Sequence, residues 1–230
     1  VSDATETKVT ATDATATDAT GATRTRTRWL RYAAAAPGLC LAVLALVVMT
    51  TSRADDPVPG ADSADAGFAR GMAVHHQQAV QLSFIVRDST DDEEVRCLAY
   101  DVINTQANQR GMLLARLDDW GLPKSSQKQP MAWMDHDMDY KPHDGSLMPG
   151  MATNTEMDEL RKAEGKDAEV LYLRLLTAHH GGGIDMAQGA ADLAEDPMIV
   201  RLAEGMVSGQ QSEITLMADM LKARGVSTQQ

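Results

Sequence analysis

The pair His75-His76 returns as His179-His180, and the chain around it repeats in register at an offset of 104 residues. A repeat of this kind constrains architecture before any single motif does, because both units must fold alike and bury like faces. Without a gap, Phe68 falls on Tyr172, Met72 on Leu176, Ala79 on Gly183, Leu82 on Met186, Leu98 on Leu202, Ala99 on Ala203 and Gln106 on Gln210. The chain is a duplicated unit, with repeats over 64–121 and 168–225 inside a domain of 64–225.

Each unit reads as a helical hairpin. Phe68, Met72, His75, Ala79, Leu82 and Val86 fall at alternating steps of four and three, the spacing of a helix face packed on a partner. Ala99, Ile103, Gln106, Arg110, Leu113, Leu117 and Trp120 continue it in a second helix, with Arg110 as a flaw, and Gly121 and Pro123 stop that helix. Between them, Ser89 or Thr90 is expected to cap the second helix, and Asp91, Asp92, Glu93 and Glu94 favour its positive end. Tyr172, Leu176, His179, Gly183, Met186 and Ala190 form a third stripe; Ala203, Val207, Gln210, Ile214, Met217 and Leu221 form a fourth, after the turn Glu195-Asp196-Pro197. The expected fold is all-α, a four-helix bundle of two hairpins. Gly181-Gly182-Gly183 within the third helix implies either a local bend or close approach of another group, since each Gly costs about 1 kcal/mol relative to Ala.

The sequence before the bundle differs in kind. Residues 1–32 open with a Thr/Ala/Asp near-repeat too poor in large apolar side chains to offset ordering, and end in Arg24, Arg26, Arg28 and Arg31. Residues 33–54 hold an apolar run, so the pair reads as a cytoplasmic tail and a signal peptide or membrane anchor. Ser52 and Ala54 suit cleavage before Asp55; residues 55–63 are a linker. Either reading exports the bundle, with a membrane partner through the apolar run if it is uncleaved. The part from Asp55 onward carries 15 basic and 29 acidic residues, which argues against nucleic acid and suits cations. Cys97 is alone in this part and is expected as a buried small hydrophobe.

His75 and His179 lie 15 residues before their turns, and Gln106 and Gln210 lie 16 after, so one polar layer of two His and two Gln is expected across the bundle. His76 and His180 flank it, with Gln109 and Glu213 one turn beyond the glutamines. Such a layer reads either as a hydrogen-bonded network that fixes register or as a metal site, since imidazole suits copper, zinc, iron and nickel. A ferritin-type di-iron site is not indicated: Glu-x-x-His is absent, with Met72, Ala73, Leu176 and Thr177 at the required positions. Met112, Met186, Met217 and Met220 sit at helical spacing, as core filler does. The long linker Leu122–Asn154 is polar, yet carries Met131, Met134, His136, Met138, Met148 and Met151. Thioether with imidazole selects copper, particularly Cu(I); the alternative is a Met-rich loop covering an open bundle end.

The ordered set Phe68-x-x-x-Met72-x-x-His75-His76-Gln77-Gln78-Ala79, Met148-Pro149-Gly150-Met151, His179-His180-x-x-x-Ile184-Asp185-Met186-Ala187 and Gln210-x-x-Glu213-Ile214-x-x-Met217 resembles the "domain of unknown function 305" family over about 64–221. The resemblance implies an exported, ferritin-like duplicated bundle, of a kind that in some members binds copper and is associated with copper resistance. It maps the family's His pairs onto His75, His76, His179 and His180, and its helix methionines onto Met72, Met186 and Met217. Leu82 and Leu176 stand where Met is common, and Gln109-Arg110 replaces Glu-Ile, so the second half keeps the fuller set. The expected function is extracytoplasmic copper binding for buffering or resistance, without enzymatic activity and with homo-oligomerisation open. The rival expectation is a structural or interaction bundle; a weaker third is a metal oxidase using His76 or His180.

Overall fold

The computed structural model describes residues 58–134 and 140–226. The tail, the apolar run over 33–54, His136 and Met138 lie outside the described residues. Among the described residues the protein has five helices and no strand, in the order α1 (Ala64–Ser89), α2 (Glu93–Asp119), α3 (Asn154–Lys162), α4 (Gly165–Leu193) and α5 (Pro197–Ala223). Within them, no helix is long and apolar enough to cross a membrane.

The four long helices start and stop for local reasons. The Ser63 side chain caps α1 by accepting from the Ala66 amide, and Asp92 caps α2 by accepting from Val95. The expected caps Ser89 and Thr90 are employed otherwise: Ser89 bonds back to the Ile85 carbonyl, and Thr90 donates to Glu169 at 2.6 Å. Asp196 accepts from the Met198 and Ile199 amides, with Pro197 in the first turn of α5. The short α3, absent from the expectation, is set by a capping box in which Thr153 and Glu156 satisfy each other's backbone amides.

α1 packs on α2, α4 on α5, and α1 on α4. The two hairpin turns lie at opposite ends of the bundle: Asp65, at the start of α1, accepts from the Glu195 and Asp196 amides, while Glu169, at the start of α4, accepts from Thr90. Each turn is also held by an arginine of the other hairpin, Arg116 on Asp196 and Arg224 on Asp92. α1 and α4 are therefore antiparallel, a relation that the spacing from the turns left open. The polar layer forms regardless, because the histidines sit near the middle of their helices.

An antiparallel pair of hairpins leaves the end of α2 and the start of α4 at opposite ends, so one long crossover must run the length of the bundle. The linker does this along the α1–α4 seam. Trp133 lies against Gly67 and stacks edge-on to Phe68, with ring centroids 5.9 Å apart; Met134 reaches Gly189, and α3 packs on α1 further along. Met131, Met134 and Met148 are buried by this path, and Met151 is partly buried. Two expectations fail at the surface: Cys97 is exposed, and Met112 is 40% exposed, because the buried face of α2 runs through Val95, Leu98, Ala99 and Val102 instead.

Two apolar clusters fill the core. One contains Phe68, Met72, Leu113, Met148 and Met186; the other contains Leu82, Val102, Tyr172, Leu176 and Met217. The histidines and glutamines lie between them.

Candidate metal centre

His75, His76, His179 and His180 are all fully buried, and Gln106 and Gln210 nearly so. The rings of His75 and His179 face one another across the α1–α4 contact, with centroids 3.8 Å apart and planes tilted by 34°. The His179 and His180 rings are 6.2 Å apart. His75, His179 and His180 thus lie beside one another in the core, with His76 also fully buried.

The hydrogen bonds fix how these rings present themselves. His179 Nε2–H donates to the His75 carbonyl at 3.0 Å, and His180 Nε2–H donates to the Glu213 carboxylate; both partners can only accept. His76 Nε2–H donates to Gln109 Oε1 at 2.8 Å. In all three, the proton on Nε2 leaves the lone pair on Nδ1, and all three Nδ1 atoms are buried without a hydrogen-bond partner among the described residues. Neither ring nitrogen of His75 meets full hydrogen-bond geometry among the described residues, the Pro149 carbonyl being its near acceptor. The amides of Gln106 and Gln210 are likewise unpartnered. A network serving only to set register would satisfy these groups, since each buried and unpaired polar atom costs about 1–3 kcal/mol.

Burial also keeps three of the rings, His75, His76 and His179, neutral. It is the main cause that lowers His75 from 6.5 to about 3, with the neighbouring His76 and His180 adding to it and the Pro149 carbonyl opposing. His76 is lowered to about 3 by burial, against its bond to Gln109. His179 falls well below 6.5 by burial and then by the charges its neighbours would carry. Neutral imidazole with a free lone pair is the form that ligates metal.

The linker closes the cluster. Gly150 takes a left-handed conformation at φ +78°, and a Cβ there would stand 2.4 Å from the Ala178 carbonyl oxygen. On α4, a Cβ at Gly182 would lie 2.0 Å from the Pro149 oxygen, and one at Gly183 would lie 2.4 Å from Gln210 Oε1. Within the continuous helix α4, Gly182 is therefore cleared for the linker backbone and Gly183 for the Gln210 side chain, the second of the two options the triplet offered, while Gly181 faces open space. On α1, Gln78 clamps the same linker, accepting from the Ala152 amide at 2.7 Å and donating to its carbonyl at 2.8 Å. Gln78 was quoted only as part of a motif; its role needed the linker path to be seen.

The candidate methionines divide. Met72, Met186, Met131, Met134 and Met148 share one apolar cluster, with Met186 Cε and Met148 Sδ both meeting the open space over Gly71. Met217 belongs to the other cluster, its sulfur 3.7 Å from the Thr177 hydroxyl, which donates to the Leu173 carbonyl. Among the described residues, no three His, Cys, Asp or Glu side chains are arranged to hold an ion by themselves. An ion bound here would need thioethers beside imidazoles, a donor set that fits a soft metal and not a hard one.

The family model for "Domain of unknown function (DUF305)" matches residues 65–221. No curated protein matches this chain significantly. Among solved structures, a candidate secreted DUF305 protein from Streptomyces coelicolor is 56% identical, with TM-score 0.68 over 74% of this chain and 99% of that one. A DUF305 fragment from Deinococcus radiodurans is 28% identical, with TM-score 0.57 over 70% and 96%. CopM in its Cu(I)-bound form shares the fold at 19% identity, with TM-score 0.54 over 69% and 96%. A repeat-built helical bundle with paired histidines at its centre, matched over most of its length, belongs to the DUF305 family.

Proposed function

We propose that this protein binds copper in the middle of its bundle, through buried imidazoles and adjoining thioethers, and serves outside the cytoplasm as a copper buffer or resistance factor with no catalytic step. One observation carries the reading. Three histidines donate Nε2–H to an outer acceptor (carbonyl, carboxylate or amide oxygen) and leave Nδ1 buried and unpartnered. Metal-ligating histidines use this arrangement, in which the second partner sets the tautomer and raises ligand basicity. His75, His76, His179 and His180 would supply nitrogen, and Met72, Met148 and Met186, which share one apolar cluster, would supply thioether sulfur. Copper held so would be kept from water and from redox exchange by the surrounding core. CopM, which shares this fold at 18–19% identity, is described in Cu(I)-, Cu(II)- and Ag-bound forms, which agrees with a soft-metal reading.

The alternative, a layer that only fixes register, is favoured by the contact of the His75 and His179 rings, which pack on each other as core side chains do. A Cu(I) competition titration separates the two. Replacing all four histidines by Gln is expected to lower affinity by about 100-fold or more, and to abolish the metal-induced rise in melting temperature. Unaltered affinity with a changed melting temperature would leave the register reading. Replacing Met131, Met134 and Met138 by Leu tests the linker: unchanged stoichiometry would make it a cover.

A further inference from the structure

The linker and α1 enclose a second feature, a cavity of about 260 Å³ separate from the histidine layer. Its electrostatics are unusual for a chain of net charge −12. Arg70 lines it and is 8% exposed. Its guanidinium donates Nε–H to the Pro123 carbonyl at 2.7 Å and Nη1–H to the Ala61 carbonyl at 2.6 Å, while Nη2 has no partner. Among the described residues, no carboxylate pairs with it. A buried cation satisfied by carbonyls alone is costly unless a counter-charge joins it.

The same cavity holds a second idle donor, the buried indole N–H of Trp133. Its remaining walls are largely apolar: Val74, Met131, Leu147 and Met148, with Gly67 and Gly71. Val74 and Leu147 are 45% and 41% exposed, two large apolar side chains left open at this one cavity. Asp62 also lines it but is tied to Lys128 at 2.9 Å, and Lys124 is tied to Asp118 at 2.8 Å.

We infer that this cavity binds a small monocarboxylate with an apolar body, its carboxylate on Arg70 and Trp133 and its hydrocarbon against the linker methionines. A single guanidinium edge and one indole N–H match one carboxylate. A phosphate dianion would meet the Asp62 carboxylate, and the two lysines of the rim, Lys124 and Lys128, are already paired with Asp118 and Asp62. The cavity is at the small end of ligand sites, which limits the body to a short chain or one ring.

Calorimetric titration of the full chain with octanoate, and with 1-octanol as its uncharged counterpart, tests this. Octanoate is expected to bind about tenfold or more tighter than octanol, and Arg70→Met to erase that preference while leaving octanol unchanged. Because Arg70 also ties Pro123 and Ala61, circular dichroism must show Arg70→Met folded; if it is not, Trp133→Phe decides, with about a threefold loss for octanoate alone expected. Equal affinity for octanoate and octanol, no octanoate binding at millimolar concentration, or octanoate affinity untouched by the folded variants would overturn the assignment.

Discussion

The two halves of the repeat place the same residues at the same height and then use them differently. His76 gives its Nε2–H to the neutral Gln109, whereas its counterpart His180 gives the same proton to the carboxylate of Glu213. Gln78 holds the linker by its side chain; Gly182, its counterpart in the repeat, holds it by having none. A pseudo-symmetric bundle has a single linker, and one strand of chain cannot meet two helices in the same way. Duplication fixed the layer, and the linker broke its symmetry.

The largest expected effect tests whether the layer is one unit across both halves. In metal-free protein, the unfolded histidines take up protons below about pH 6.5, while His75 and His76 stay neutral down to about 3 and His179 stays neutral well below 6.5. The unfolded state therefore binds more protons in this window, so stability is level above about 6.5 and falls as the pH drops below it. The slope is about 1.4 kcal/mol per pH unit for each such histidine, an upper value if the core admits water on acidification. Urea denaturation at pH 7 and pH 5 should show this loss, and His75→Gln/His76→Gln should flatten it more than His179→Gln alone. A profile that is level from 7 to 5 would mean that His75, His76 and His179 are not held neutral.

Next in size is the linker contact. Gly182→Ala drives a Cβ into the Pro149 backbone, which has no flexible end to yield, and should cost about 3 kcal/mol in chemical denaturation. Gln78→Ala removes two hydrogen bonds to Ala152 and should cost about 1–2 kcal/mol. Equal costs would mean that backbone contact and side-chain clamp are equivalent, contrary to the geometry.

Exchanging the outer partners sharpens the comparison further. Glu213→Gln gives the second half the partner of the first and should weaken copper about tenfold, and Gln109→Glu should strengthen it in the opposite sense. Affinity indifferent to both exchanges would remove the functional meaning of the asymmetry. The smallest effect is expected outside the layer. Met112 and its repeat counterpart Leu216 are both open to solvent, so Met112→Gln and Leu216→Gln should each change stability by less than about 0.5 kcal/mol.

Much of this was legible in the residues. The offset of 104 and the alternating steps of four and three depend only on helix periodicity, which is local, so the four long helices and their buried His and Gln followed. Asp92 takes the cap, while the Thr90 hydroxyl accepts from the Asp92 amide and donates to Glu169, a contact 79 residues distant. Cys97 and Met112 were misplaced because apolar type was read as burial although neither lies on the α2 stripe, whose Ala99, Gln106, Leu113, Leu117 and Trp120 are buried as expected. Gly181 to Gly183 signalled close approach, but not by what.

By itself, the sequence determined that this chain is a duplicated helical bundle, that paired histidines sit in its core, and that methionine is concentrated in one linker. Only the tertiary structure decided that the hairpins run antiparallel and that the linker crosses the α1–α4 seam. It also decided that, among the described residues, Nε2 of three histidines is engaged while Nδ1 has no partner, and that no carboxylate there pairs with the buried Arg70. The physical reason is range. Periodicity and capping are written within a few residues, whereas ring tautomer, proton affinity and cavity chemistry are set by partners that are neighbours only after the linker has folded across the bundle.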